Sequence, residues 1–271
     1  MYLKLDNTVS LWYQVDAVAN AKAVVVINHG FAEHTGRYDY VTHRLNNAGY
    51  SVYRYDLRGH GRTLGPKGDL DSYRDFINDA NRIVGIARTE NPDLPIFMLG
   101  HSMGGLVTAM YGITHPDTLR GQIFSGPAVN TLPKAEGINN YILKMAGTLF
   151  PKLKIANPVE DDVCSVPEVV EAYKNDPMVL KKATTRFLKE FLIEAPNFVR
   201  MNIHTYTYPM FLAHGEADKI VPVAVGDYLF QNIASEDKTQ KIYPNLYHEI
   251  LNENEKDTIL DDMILWMDKH L

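Results

Sequence analysis

Residues 97–110 read Phe97-Met-Leu-Gly-His-Ser102-Met-Gly-Gly-Leu-Val-Thr-Ala-Met110. Ser102 stands inside Gly100-His-Ser-Met-Gly104, a G-x-S-x-G pentapeptide. A turn of this kind exposes a serine hydroxyl, while its glycines let the backbone pack closely on its neighbours. At average residue usage about one chain in ten of this length carries such a match by chance, so the setting decides. Before it, Leu94 to Leu99 is a short apolar run after the breaker Asn91-Pro92-Asp93, and it reads as a buried strand. After it, Leu106, Ala109 and Met110 fall at helical spacing, and His115-Pro116 ends the run. Strand, turn and helix are the context in which this serine becomes a nucleophile.

Working outward, strand-like and helix-like segments alternate. Ser10 to Asp16 looks like an early hairpin strand, and Ala23 to Asn28 like a buried strand ending at His29-Gly30. Tyr38 to Ala48 reads as helix, Ser51 to Tyr55 as strand, and Ser72 caps a helix reaching Glu90, with Asp75 at its third position. Gly121 to Ser125, Pro209 to Ala213 and Thr239 to Tyr243 are strands; Val223 to Ile233 and Asp257 to His270 are helices. The pattern implies an α/β fold with a mostly parallel sheet and helices on both faces, its functional groups at the carboxyl ends of the strands.

Residues 131–205 break that rhythm. Ile138, Tyr141, Ile142, Met145 and Leu149 share one helical face; Val179, Leu180, Ala183, Phe187, Leu188 and Phe191 form another. The expected division is a core made of 1–130 and 206–271, with 131–205 a mainly helical cap above the active-site edge. The alternative is a set of helices that simply extends the core.

The chain has 271 residues, 45% of them hydrophobic and 22% charged, enough for one large domain and too apolar for disorder. A net charge of -6 argues against a nucleic-acid partner. The single cysteine, Cys164, excludes an internal disulfide framework and suits a reducing compartment. Charge interrupts Met1-Tyr-Leu-Lys-Leu-Asp6 before a signal-peptide core forms, and no run is long enough to span a bilayer. A cytoplasmic protein is expected.

A serine hydroxyl needs a base to take its proton and a carboxylate to orient that base. On such folds the partners follow in the order Ser, acid, His. Of the ten histidines, His248 and His270 come late enough; His270 is penultimate on a terminal helix, whereas His248 lies in the loop Pro244-Asn-Leu-Tyr-His-Glu249. Asp218, just past the Pro209–Ala213 strand, is the expected acid, ahead of Glu216, Asp227 and Asp237. The oxyanion of the tetrahedral intermediate is assigned to the backbone N–H groups of Met103 and Phe31. No metal or cofactor is required.

The stretches His29-Gly-Phe-Ala-Glu-His-Thr-Gly-Arg-Tyr38, Asp56-Leu-Arg-Gly-His-Gly61, Gly100-His-Ser-Met-Gly-Gly105, His214-Gly-Glu-Ala-Asp218 and Tyr247-His-Glu249 occur in that order. Together they resemble the monoacylglycerol lipase and lysophospholipase-like branch of the α/β-hydrolases. The resemblance implies a sheet of about eight strands, a helical cap, and hydrolysis of single-chain acyl esters through an acyl-enzyme on Ser102. It also implies that Glu33 and Arg37 lie near the leaving-group pocket, with a pairing of the two that braces the loop as the alternative. Tyr173 resembles a cap tyrosine near the same pocket, or one that merely packs the cap. His101 joins them as a substrate-binding residue. Phe31 stands where relatives also carry small residues, so its ring is expected to narrow the pocket mouth.

Two other readings stay open. A proline iminopeptidase-like peptidase or amidase can share the triad and a cap, although Phe31-Ala32 departs from the Pro usual in that loop. A non-catalytic binding protein would normally have lost a triad member. The expected partner is a small acyl ester, with transient contact between the cap and a lipid surface also open.

Overall fold

The computed structural model describes residues 1–157 and 162–271. Runs of β-branched and aromatic residues build its sheet. Ala23–Asn28 (β3) reads AVVVIN and is buried throughout, as strands covered on both faces must be. Its neighbours are Tyr50–Tyr55 (β4) and Ile96–His101 (β5), both parallel to it. Gly121–Ser125 (β6), Met210–Gly215 (β9) and Lys238–Tyr243 (β10) extend the parallel part on one side. Tyr2–Lys4 (β1) and Ser10–Asp16 (β2) complete the other side with antiparallel pairings. The order β1-β2-β4-β3-β5-β6-β9-β10 gives the expected eight-stranded, mostly parallel sheet. The strand at Tyr2–Lys4, absent from the sequence reading, completes the early hairpin.

The order reverses at β3, whose two neighbours come later in the chain on opposite sides. A crevice therefore opens at the carboxyl ends of β3 and β5. Alternate residues of β3 feed two cores. Val24 and Val26 join Phe76, Ile83, Leu106 and Met110 on one face; Val25 and Ile27 join Leu45, Leu260, Met263 and Trp266 on the other. The helices on the first face include Tyr73–Glu90 (α2) and Met103–Thr114 (α3); Asp39–Asn47 (α1) and Lys256–Asp268 (α9) cover the second. The expected cap on α2 is present as a capping box: the Ser72 hydroxyl accepts from Arg74 N–H, and Asp75 accepts from Ser72 N–H.

Between Ser125 and Met210 the described residues add no further strand to this sheet. The segment holds Ile138–Leu149 (α4), Lys154–Ala156 (β7), Pro167–Asn175 (α5), Lys182–Thr184 (β8), Thr185–Lys189 (α6), a π-helical turn Glu190–Glu194 and Ala195–Asn202 (α7). Positions 158–161 of the expected cap lie outside the described residues. The second apolar set is not one helix. Its early part leads into β8, which pairs antiparallel with β7, and helix begins only at Thr185, where the Thr184 hydroxyl accepts from Phe187 N–H at 3.1 Å. Adjacent threonines favour strand and cap over helix interior.

The two halves of the segment behave differently. Phe187, Leu188, Phe191, Ala195 and Val199 are continuous with the core on the α2–α3 face. The apolar face of α4 is open: Ile138, Tyr141, Ile142 and Leu149 are all more than half exposed. One half packs against the core, and the other presents apolar surface.

Candidate active site

Ser102 sits between β5 and α3 with φ 53° and ψ −116°. A non-glycine residue held there is strained, a condition that clusters at functional sites. The surrounding backbone enforces it. Ser102 N–H donates to Ser125 O at 3.0 Å, and its carbonyl accepts from Leu106 N–H and Ala128 N–H at 3.1 and 3.0 Å. The flanking glycines are required by contact: a Cβ on Gly100 would stand 2.3 Å from Gly104 O, and one on Gly104 would stand 2.1 Å from Asn28 O. The pentapeptide lets α3 lie directly against the end of β3 with its N-terminus, the positive end of the helix dipole, at Ser102.

Asp218 follows β9. Its Oδ1 accepts from Ile220 and Val221 N–H at 2.9 and 2.8 Å, and its Oδ2 accepts from His248 Nδ1 at 2.7 Å. Burial pushes this carboxyl up, but His248 and the donors around it hold it well below the usual carboxylate range. His248 is 4% exposed. Burial pulls its imidazole down; the Asp218 carboxylate, with Glu249 and Glu33, outweighs that and holds it above its ordinary value. Because Nδ1 points at Asp218, Nε2 is the nitrogen left for other chemistry. Gly126, at φ +50°, gives the pair room: a Cβ there would lie 3.2 Å from His248 Nδ1 and 3.3 Å from Asp218 Oδ2.

Ser102 and His248 line one cavity. No hydrogen bond joins their side chains in this resting geometry, as is common before substrate aligns such groups. Phe31, Leu132, Leu188, Phe191, Leu192 and Ile220 give the cavity apolar walls. The Phe31 ring packs 5.5 Å from those of Phe187 and Phe191, as part of that wall.

The two N–H groups assigned to the oxyanion have no acceptor among the described residues. The loop carrying one of them is pinned on both sides. Gly30 N–H donates to Glu33 Oε1 at 2.5 Å, Gly30 O accepts from His29 Nδ1 at 2.8 Å, and Ala32 O accepts from Leu180 N–H at 2.8 Å.

Glu33 and Arg37 do pair, at 2.9 Å, with Glu33 buried and Arg37 mostly so. Glu33 also accepts from Tyr38 OH at 2.7 Å. Burial pushes its carboxyl up, but Arg37 and neighbouring histidines hold it down at about 2. Arg37 in turn donates to both oxygens of Glu249, at 2.5 and 2.6 Å. Glu33, Glu249, His101 and Tyr173 line the cavity; Arg37 stands behind them, bracing the loop with its guanidinium 4.9 Å from the Tyr173 ring centre. Tyr173 OH accepts from Asn157 Nδ2 at 3.1 Å. His101 Nδ1 donates to Ser125 O at 3.0 Å, and its ring lies 4.7 Å from that of His248. Burial pushes His101 down to about 3, so it stays neutral.

The rival residues serve elsewhere. Glu216 is exposed and accepts from Asn245 N–H, Asp227 accepts from Gln240, and His270 pairs with Asp237 at 3.0 Å. Sequence reading missed the part played by Glu249. It is quoted in the motif beside His248, but nothing local says that its partner lies 212 residues earlier. It also missed His214, whose ring reaches Asp218. Among the described residues no group of three or more His, Cys, Asp or Glu side chains is arranged to hold a metal ion.

The chain matches the hydrolase family described as serine aminopeptidase, S33, over residues 19–255. It is 40% identical over 250 residues to a monoacylglycerol lipase of Mycolicibacterium smegmatis, covering 92% of this chain and 89% of that protein. It is 30% identical over 251 residues to the phospholipase YtpA of Bacillus subtilis, covering 92% of this chain and 96% of that one. A soluble variant of the Saccharomyces cerevisiae monoglyceride lipase, solved with a substrate analogue, superposes with a TM-score of 0.90 at 27% identity, over 100% of this chain and 94% of the other.

Proposed function

Since the chain belongs to the serine aminopeptidase S33 family of hydrolases, we propose that it releases fatty acid from monoacylglycerols, with lysophospholipids as the second substrate class. It is an ester-hydrolysing serine hydrolase on the α/β-hydrolase fold. In the proposed cycle Ser102 attacks the ester carbonyl as Nε2 of His248 takes its proton. The N–H groups of Phe31 and Met103 hold the oxyanion. His248 then protonates the leaving alcohol and, in the second half, activates water to free the acid. Asp218 fixes the tautomer of His248 and stabilises its charged form.

The observation that carries this reading is the 2.7 Å contact from His248 Nδ1 to Asp218, which leaves Nε2 open to the apolar-walled cavity that Ser102 also lines. Glu33, His101 and Tyr173 are assigned to the leaving-group side of that cavity, with Arg37 bracing them. The segment 131–205 is read as the cap over the core formed by 1–130 and 206–271. The open face of α4, continued by Phe150 at 64% and Leu153 at 56% exposure, supports transient contact of the cap with lipid. Lys144 and Lys152 are exposed beside it. No helix of the described residues is long and apolar enough to cross a membrane. The lone buried thiol, Cys164, which burial pushes up to about 12, supports a cytoplasmic setting.

The test is a hydrolysis panel of monoacylglycerols, lysophospholipids, diacylglycerols, simple esters and aminoacyl amides across chain lengths. Monoacylglycerols should give the highest kcat/KM. A clear preference for aminoacyl amides would replace this reading with the peptidase one.

A further inference from the structure

The described residues place a second imidazole on the acid. His214, in β9, is completely buried. Its Nε2 lies 2.7 Å from Val221 O and 3.3 Å from Asp218 Oδ2. A carbonyl and a carboxylate only accept, so this nitrogen carries the ring proton. Nδ1 is then bare, and among the described residues it is buried without a partner. Gly226 of helix α8 (Val223–Asn232) packs against that edge; a Cβ there would stand 2.7 Å from Nδ1. A proton on Nδ1 would be a buried donor with nothing to accept it, which the packing leaves no room to solvate. One tautomer of His214 is therefore enforced.

We propose that His214 is a positioning residue for the catalytic acid, tethering the Asp218 carboxylate and setting how strongly it acts on His248. The proposal rests on the Ser102–Asp218–His248 reading above. The shared Nε2–H ties the end of β9 to the turn that follows it. Asp218 thereby has four N–H groups around it: two backbone amides on Oδ1 and two imidazoles on Oδ2. Each donor draws off part of the carboxylate's charge. With the His214 donor gone, the field of Asp218 on His248 is less quenched, and His248 keeps its proton to higher pH. The other groups facing His248 are Glu249, Glu33 and the neutral His101; none of them touches His214, so they do not compensate.

The test compares wild type, His214→Leu, His214→Gln and Ser102→Ala on a soluble short-chain ester. His214→Leu should lower kcat/KM at neutral pH by at least roughly tenfold, the worth of one charge-assisted hydrogen bond. The loss should fall mainly in kcat, and the acid limb of the pH profile should move to higher pH. His214→Gln keeps a donor near the Nε2 position and should return the limb toward its wild-type place. ¹⁵N-histidine NMR of the wild-type protein should show the proton of residue 214 on Nε2, a readout that needs no variant to fold. A proton on Nδ1, or an unmoved acid limb in folded His214→Leu, would overturn the role of His214. Activity persisting in Ser102→Ala would instead overturn the triad reading, leaving the tautomer of His214 as observed.

Discussion

Arg37 Nη2 donates to Glu249 Oε2 at 2.6 Å although 212 residues separate them. The pair joins the loop that carries the Phe31 N–H to the loop that carries His248, so two parts of the site share one anchor. Removing one partner of a buried ion pair strands the other charge and costs about 3–5 kcal/mol. In Glu249→Gln the guanidinium keeps Glu33 as a partner, so the unfolding free energy in urea should fall by less than that, by about 1.5–3 kcal/mol for the charged hydrogen bonds weakened, and Glu249→Gln combined with Arg37→Met should cost less than the sum of the two. Strict additivity in that cycle would show that the contact does not couple them.

Ser102→Ala should reduce kcat by about four orders of magnitude or more while the protein stays folded. The strained backbone at φ 53° adds a second expectation. Ser102→Gly relieves about 1–3 kcal/mol of strain against about 0.5–1 kcal/mol of added chain entropy. It should therefore melt above Ser102→Ala, with both unreactive toward a fluorophosphonate. A lower Tm for the glycine variant would show that the turn stores no strain.

Gly104→Ala should fail more severely than any surface substitution. Its Cβ would stand 2.1 Å from Asn28 O, and backbone on both sides leaves no flexible side chain to yield. The expected result is insoluble protein, or a Tm many degrees lower together with lost turnover, because α3 must back away from β3. A soluble variant with unchanged Tm and kcat would contradict the packing described above.

The pH profile of kcat/KM should fall on its acid side as His248 takes up a proton. Asp218 holds that imidazole above its ordinary value of 6.5, so the limb should lie above 6.5 as well. His101, pushed down to about 3, contributes no inflection near neutrality. Asp218→Asn removes the carboxylate; it should lower kcat by about 10⁴ and shift the limb to lower pH. A wild-type limb well below 6.5 would point to a different base.

The exposed face of α4 should matter only for substrate held in a lipid phase. Ile142→Glu with Phe150→Glu should weaken binding to phosphatidylcholine vesicles and slow hydrolysis of vesicle-borne monoacylglycerol by about tenfold or more, at the ~1.5–3 kcal/mol scale of one apolar side chain. Turnover of a soluble short-chain ester should not change. An equal loss on both substrates would locate the effect inside the cavity rather than at a lipid surface.

The sequence by itself determined the repeated strand-and-helix plan, because apolar runs between glycine and proline breaks are local signals. Ala23–Asn28 and Gly121–Ser125 match the observed strands residue for residue, and the Ser72 cap is where its pattern puts it. It also singled out Ser102, Asp218 and His248, since chain order and strand ends restrict which acid and which imidazole can follow the serine turn. Tertiary structure alone decided that Arg37 is bound to Glu249 and that His214 leans on Asp218. Such contacts arise when distant loops meet at one sheet edge, and no periodicity encodes them. It alone decided, too, that two similar apolar stripes part company, Phe187 and Phe191 joining the core while Ile138 and Tyr141 face outward. Periodicity gives a stripe its direction around a helix axis, but only the packed neighbours decide whether that direction meets protein or solvent.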